Sequence, residues 1–155
     1  MEKDLGTLTN EMTYRKYLME KIDMEKLFRD ISILDYNAMQ AILKCNEGKE
    51  EDDKIYLRKL AEELKLPISQ VSQMIGRLQE NGMVKWKHDG KGEQGTYIMI
   101  TEKGKEAVYN QHEVLKQFYS RVITRYGHDK FTQMLEMVTE LEDIMTEELV
   151  AAKEI

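Results

Sequence analysis

Cysteine and proline are nearly missing from this chain of 155 residues, which has one of each, Cys45 and Pro67. One cysteine excludes an internal disulfide and fits a reducing compartment, so a cytoplasmic setting is expected. No apolar run approaches the roughly 20 residues that span a bilayer, so no membrane association is expected. The opening residues, MEKDLGTLTNEMT, lack the apolar core of a secretion signal. Phosphate-cradling glycine motifs, a nucleophile elbow and paired catalytic carboxylates in a recognisable context are missing as well. No catalytic residue and no enzymatic activity are therefore expected. His88, His112 and His128 stand alone, without the spacing that places two histidines on one helix face. No metal and no cofactor are expected from them.

A basic excess is missing too, since the formal net charge is −6. For a nucleic-acid binder the distribution matters more than the sum. Between Lys65 and Lys91 the cations Lys65, Arg77, Lys85, Lys87 and Lys91 face only Glu80 and Asp89, a local net of +3. The acids gather in the run Glu47 to Asp53 and in the last helix, at Glu136, Glu140, Glu142, Asp143, Glu147 and Glu148. Charge is thus segregated between a basic stretch and an acidic body. Eleven methionines suit adaptable packing at a core or a subunit interface.

What is present is an ordered series of amphipathic segments. Thr9 to Asp30 reads as a first helix with Thr9 as its cap. Asp35 is expected to cap a second, Tyr36 to Cys45. The segment NEGKEEDDK reads as a loop, and Ile55-Tyr56-Leu57 as a short strand. Arg58 to Leu64 and Ile68 to Asn81 are a third and a fourth helix, stopped by Gly82. Met83 to Lys87 and Thr96 to Ile100 form a hairpin around the tip KHDGKGEQG. A fifth helix runs from Thr101-Glu102 to about Tyr126, Gly127 breaks it, and His128-Asp129 opens a sixth. The expected fold is mainly α with a small β-hairpin wing, a winged helix-turn-helix. Its reading lobe spans residues 33–101, flanked by dimerisation helices at 9–30 and 102–152 of one domain.

In the fourth helix Ile68, Val71, Ile75 and Leu78 make an inward stripe against Leu60 and Leu64. Ser69, Gln70, Ser72, Gln73, Gly76 and Arg77 are left outside. Short hydroxyl and amide side chains near a helix start, followed by an arginine, can read base edges in the major groove of a double-stranded DNA operator. A plain solvated face would carry more Glu and Lys, as the last helix does. Lys65, Lys85, Lys87, His88 and Lys91 are expected to reach phosphates or the minor groove. Trp86 is expected to pack within the strand.

These phrases resemble the MarR family, the multiple-antibiotic-resistance type of bacterial transcription regulator. LRKLAEELKLPISQVSQMIGRLQENGMVKW looks like the family's third and fourth helices and wing entry, and YIMITEKGKEA like its wing exit. The resemblance covers nearly the whole chain and implies a homodimeric repressor on a pseudo-palindromic operator, released by an effector. The family's wing often carries an Asp-x-Arg pair at its tip, whereas the tip here, GKGEQG, has no arginine. Candidate linings for a small-molecule effector are Tyr14, Tyr17, Tyr36, Met39 and Phe118. Each also suits a core or interface role. Cys45 reads as a small buried hydrophobe without redox function. The alternative is a winged-helix interaction module that has lost DNA binding. It draws on the net acidity, the acidic loop and the missing wing arginine.

Overall fold

The computed structural model describes residues 2–44, 54–90 and 95–152. Cys45, the acidic run Glu47 to Asp53 and Lys91 at the wing tip lie outside the described residues. The chain divides into two compact units, Met1–His112 and Glu113–Ile155.

In the first unit, α1 spans Leu5–Lys21. It starts before the expected Thr9 because Asp4 is the cap, its Oδ1 accepting from the Thr7 N–H at 2.8 Å. That bond holds the Asp4 carboxyl below its usual value. Thr9 turns its hydroxyl back to the Leu5 carbonyl, 2.8 Å away, and caps nothing. The helix also ends well short of Asp30, and a 3-10 turn follows at Met24–Leu27. That turn delivers the Leu27 carbonyl to the side chain of Gln111, whose Nε2 donates to it at 2.9 Å. Gln111 is buried and lies 84 residues away in sequence, so no local pattern announces the contact.

Helix α2 spans Ile33–Lys44, three residues longer at its start than the sequence predicts. Ser32 is the cap. The Asp35 N–H donates to Ser32 Oγ at 3.0 Å, and the Ser32 N–H reaches back to Asp35 Oδ2 at 3.5 Å. This is a capping box, with Asp35 in its third helical position. Replacing Ser32 with Ala is expected to lower stability by about 1 kcal/mol. Urea denaturation measures this, and an unmoved midpoint would contradict the assignment.

Strand β1 is Lys54–Tyr56, and Leu57 belongs to α3, Leu57–Leu64. Helix α4 spans Ile68–Glu80, β2 Val84–His88 and β3 Thr96–Ile100. The strands form one antiparallel sheet in the order β1-β3-β2. Gly82, at φ 76°, ends α4 as its sequence position predicts, with the Met83 N–H returning to the Leu78 carbonyl. Met39, Ile42, Leu60, Val71, Ile75, Leu78, Val84 and Ile98 are the fully buried centre, shared by α2, α3, α4 and one sheet face. Met74 takes the inward place expected of Ile68, which is 44% exposed at the first residue of α4.

Helix α5 spans Glu102–Tyr126. Its entry explains the TEKGKEA phrase. Thr101 donates its hydroxyl to the Gly82 carbonyl at 2.6 Å and accepts from the Gly104 N–H at 3.1 Å. The Thr101 N–H reaches the Met83 carbonyl at 3.0 Å, and Lys103 Nζ donates to the Asn81 carbonyl at 2.7 Å. One turn of α5 is thereby fastened to the chain leaving α4.

The second unit holds the end of α5, a turn at Gly127 with φ 109°, and α6, His128–Ala152. Phe131 of α6 packs against Tyr119 and Tyr126 of α5, with ring centroids 6.4 and 6.3 Å apart. No residue of α6 is buried, and Leu135, Met137, Leu141, Ile144 and Leu149 are each at least 41% exposed.

Candidate nucleic-acid interface

The turn between α3 and α4 sets the angle of α4. Lys65 takes the left-handed conformation, φ 54°, and Leu66 donates to the Ala61 carbonyl to close α3. Pro67 then starts α4 without a side-chain cap. With Val71, Met74, Ile75 and Leu78 buried, the helical period of about 100° per residue turns Ser69, Gln73 and Gly76 directly outward. Gln70 and Arg77 lie along one flank of that face, and Ser72 along the other. Among the described residues, no side-chain hydrogen bond occupies Ser69, Gln70, Ser72 or Gln73. Acids are absent from this face until Glu80, the last residue of α4. The face can therefore offer hydroxyl and amide groups to an external partner at no cost of breaking internal bonds.

Gly76 has no role inside the fold. A Cβ placed there would meet nothing within 4 Å, and its φ is ordinary for a helix. Gly76→Ala is expected to raise stability by about 0.5 to 1 kcal/mol through helix propensity. A thermal or urea midpoint that falls instead would contradict the open placement of this residue.

The flanks are held by different partners. Arg77 Nη2 donates to Asp35 Oδ1 at 3.0 Å, tying α4 to the capping box of α2. One nitrogen of this expected base reader thus ties α4 to α2, while the side chain stays 57% exposed. On the other flank, Gln79 Oε1 accepts from the Trp86 N–H at 2.7 Å, joining the end of α4 to β2.

Between the start of α4 and the wing lies a cleft of about 550 Å³, lined by Leu57, Arg58, Ile68, Ser72, Trp86, His88, Gly90 and Thr96. It explains the exposure of Ile68. Arg58 escaped the sequence reading, since nothing in its spacing links the start of α3 to Ser72 or to the hairpin. His88 Nδ1 is 3.0 Å from the Thr96 hydroxyl across the hairpin.

Strand register separates the predicted wing residues. Trp86 pairs with Ile98 and His88 with Thr96, on the core side of the sheet. Lys85 pairs with Met99 and Lys87 with Tyr97, so both lysines project from the opposite face. His88 alone of the described wing candidates lines the cleft.

The effector candidates are scattered in role. Tyr14 and Tyr17 stack on the exposed side of α1, 6.4 Å between centroids, with Lys21 Nζ over Tyr17. Met39 is fully buried in the core and offers no surface to a ligand. Tyr36 packs edge-on to Phe28, and its hydroxyl meets His112 Nδ1 at 3.1 Å and Gln40 Nε2 at 3.0 Å. Phe118, in the second unit, packs edge-on to Tyr119. Among the described residues no group of three His, Cys, Asp or Glu could hold a metal ion.

The family profile described as Iron dependent repressor, N-terminal DNA binding domain, matches residues 39–91, from within α2 into the wing. No curated protein matches the chain by sequence. Solved structures match it almost end to end. A MarR family protein from Bacillus stearothermophilus is 17% identical, with 94% of this chain and 99% of that one covered at a TM-score of 0.68. A mutant MarR from E. coli complexed with operator DNA is 16% identical, over 90% and 99% of the two chains, at 0.67. NadR in complex with 4-hydroxyphenylacetate is 13% identical, over 91% and 95%, at 0.63. The fold is the winged helix-turn-helix fold of MarR family regulators.

Proposed function

We propose that this chain is a MarR-type transcriptional regulator, a repressor that binds a pseudo-palindromic operator as a homodimer. The observation that carries the reading is the acid-free outward face of α4, where the side chains of Ser69, Gln70, Ser72 and Gln73 make no internal hydrogen bond. Gln73 and Ser69 read base edges in the major groove. Arg58, His88 and Lys65 hold the phosphate backbone around the cleft and the α3–α4 turn. The profile match to a repressor's DNA-binding domain, and the solved relative bound to operator DNA, support the same function.

Dimerisation draws on surfaces that one chain leaves open. α6 has no buried residue, and its apolar residues spread across a face wider than one packing seam. α1 also buries nothing and exposes Leu5, Leu8, Met12 and Met19. A twofold pair would place two α4 helices about 34 Å apart, one turn of B-DNA. Light scattering is expected to give twice the chain mass at micromolar concentration. A stable monomer there would contradict the dimer.

Effector response would act on α2. Tyr36 contacts His112 and Gln40, and its neighbour Asp35 holds Arg77 of α4. A small molecule that displaces Tyr36 shifts the Asp35–Arg77 tie and with it the seat of α4. The solved NadR complex shows that a protein of this fold takes a small carboxylate.

An anisotropy titration tests the regulator reading. The duplexes are one selected by the protein from a random pool and a scrambled control, at two salt concentrations. Selected DNA is expected to bind about 1,000-fold or more tightly than the control, with affinity falling steeply as salt rises. No sequence preference even at low salt would favour a protein-interaction module.

A further inference from the structure

The wing is a hairpin whose inner half is held by the core and whose outer half is not. Val84, Ile98 and Ile100 are buried, whereas Lys87, His88 and Asp89 are exposed. β2 is an edge strand of the sheet. In an antiparallel edge strand every second residue turns its N–H away from the neighbouring strand. Trp86 is such a residue, placed where burial gives way to exposure, and Gln79 Oε1 accepts its N–H at 2.7 Å. Among the described residues no other side chain of α4 bonds to the hairpin. The remaining ties of the outer half stay within the sheet, His88 to Thr96 and Asp89 to Tyr56. Gln79 lies in the last turn of α4, whose exit is fastened separately to the start of α5 by Thr101 and Lys103.

We propose that Gln79 is a positioning residue for DNA reading, which fixes the pose of the wing against α4 before the duplex arrives. The inference rests on the reading of the chain as a DNA-binding regulator. α4 and the wing reach different parts of the duplex, so their separation has to match groove geometry. A hairpin hinged only at its buried end samples a range of separations, and binding then has to order it. The Gln79 bond sits between the buried end and the tip, so it limits the swing of every residue beyond it. It also places Trp86 and His88, which face Ile68 and Ser72 of α4 across the cleft. The side chain of Gln79 is exposed, so burial does not call for it at this position. An N–H on an open strand edge has water as its alternative acceptor. The bond therefore adds little to global stability, and its effect falls on the geometry of the wing.

Trp86 is the only tryptophan of the chain, so its fluorescence reports this joint. Gln79→Met keeps the length of the side chain and removes the acceptor. In the free protein it is expected to speed exchange of the Trp86 N–H about tenfold and to raise acrylamide quenching of the indole, with an unfolding midpoint close to wild type. Gln79→Glu offers a carboxylate oxygen to the same N–H and should restore both signals. In anisotropy titrations Gln79→Met should bind the selected duplex about tenfold more weakly and change little on the scrambled control, because only the matched fit needs both elements in place.

Gln73→Ala should lose affinity with Trp86 undisturbed, which separates base reading from wing placement. Wild-type exchange and quenching in Gln79→Met overturn the proposal, as does a loosened Trp86 with undiminished affinity for the selected duplex. Equal losses on selected and scrambled DNA also overturn it, since they would make Gln79 a backbone contact in its own right. A wild-type protein that prefers no duplex overturns the regulator reading and this role with it. A wild-type preference that Gln79→Met retains overturns the role of Gln79 alone.

Discussion

Gly104→Ala is expected to destabilise the first unit by about 3 kcal/mol, at the upper end of what overpacking a rigid site costs. A Cβ at this position would lie 2.2 Å from the Met83 carbonyl oxygen and 2.8 Å from Ile100 Cγ1. The nearer atom is backbone and cannot rotate away. Moving it would stretch the Thr101 N–H to Met83 carbonyl bond and the Thr101 hydroxyl bond to Gly82, which together hold α5 to the exit of α4. The wing begins at Val84, directly after this carbonyl. Urea denaturation should show the loss as a lower midpoint with an unchanged slope. A change below about 1 kcal/mol would mean that the junction yields easily and that the close approach is not required.

Gln73→Ala is expected to reduce operator affinity by about 10- to 100-fold, the equivalent of about 1 to 3 kcal/mol for a lost amide-to-base pair. The free protein should be at least as stable as wild type, because Gln73 is exposed and alanine is the better helix former. The opposite signs distinguish this position from Gly104, where stability falls first. Arg77→Ala should behave differently again. Its guanidinium is bound to Asp35, so any loss of affinity arises through the seat of α4 and should be matched by Asp35→Ala. Unchanged affinity in Gln73→Ala, measured by anisotropy, would remove Gln73 from the reading face.

Most of the architecture is legible in the chain because it rests on local chemistry. The inward Val71, Ile75 and Leu78 of α4, the Gly82 and Gly127 stops and the bounds of β3 follow from apolar period and glycine placement. The errors fall at helix ends, where a local cap or a distant partner decides. α1 ends early in sequence because the turn after it serves Gln111, and α2 starts early because Ser32 and Asp35 cap each other.

The candidate site divides the same way. The placement of Ser69, Gln70, Ser72 and Gln73 outside the buried stripe of α4 follows from helical period alone. Arg77 has the residue type expected of a base reader, and its bond to Asp35, 42 residues earlier, is a contact that no local pattern announces. Lys85, Lys87 and His88 share one expected role in the wing, yet a two-residue period puts the lysines on one face and the histidine on the other. That alternation is itself written in the sequence. What the sequence does not state is which face adjoins α4, and only the packing of Trp86 and Ile98 toward the core settles it. Arg58 enters the site by topology, since the hairpin folds back beside the start of α3.

The central claim is that paired α4 helices enter successive major grooves. Methylation protection of guanine N7, an acceptor exposed only in the major groove, tests it on the selected duplex. Two protected patches about ten base pairs apart are expected, related by the twofold of the site, and both should need about 10- to 100-fold more protein in Gln73→Ala. Binding that leaves every guanine N7 reactive, or that protects positions without this spacing, would contradict it.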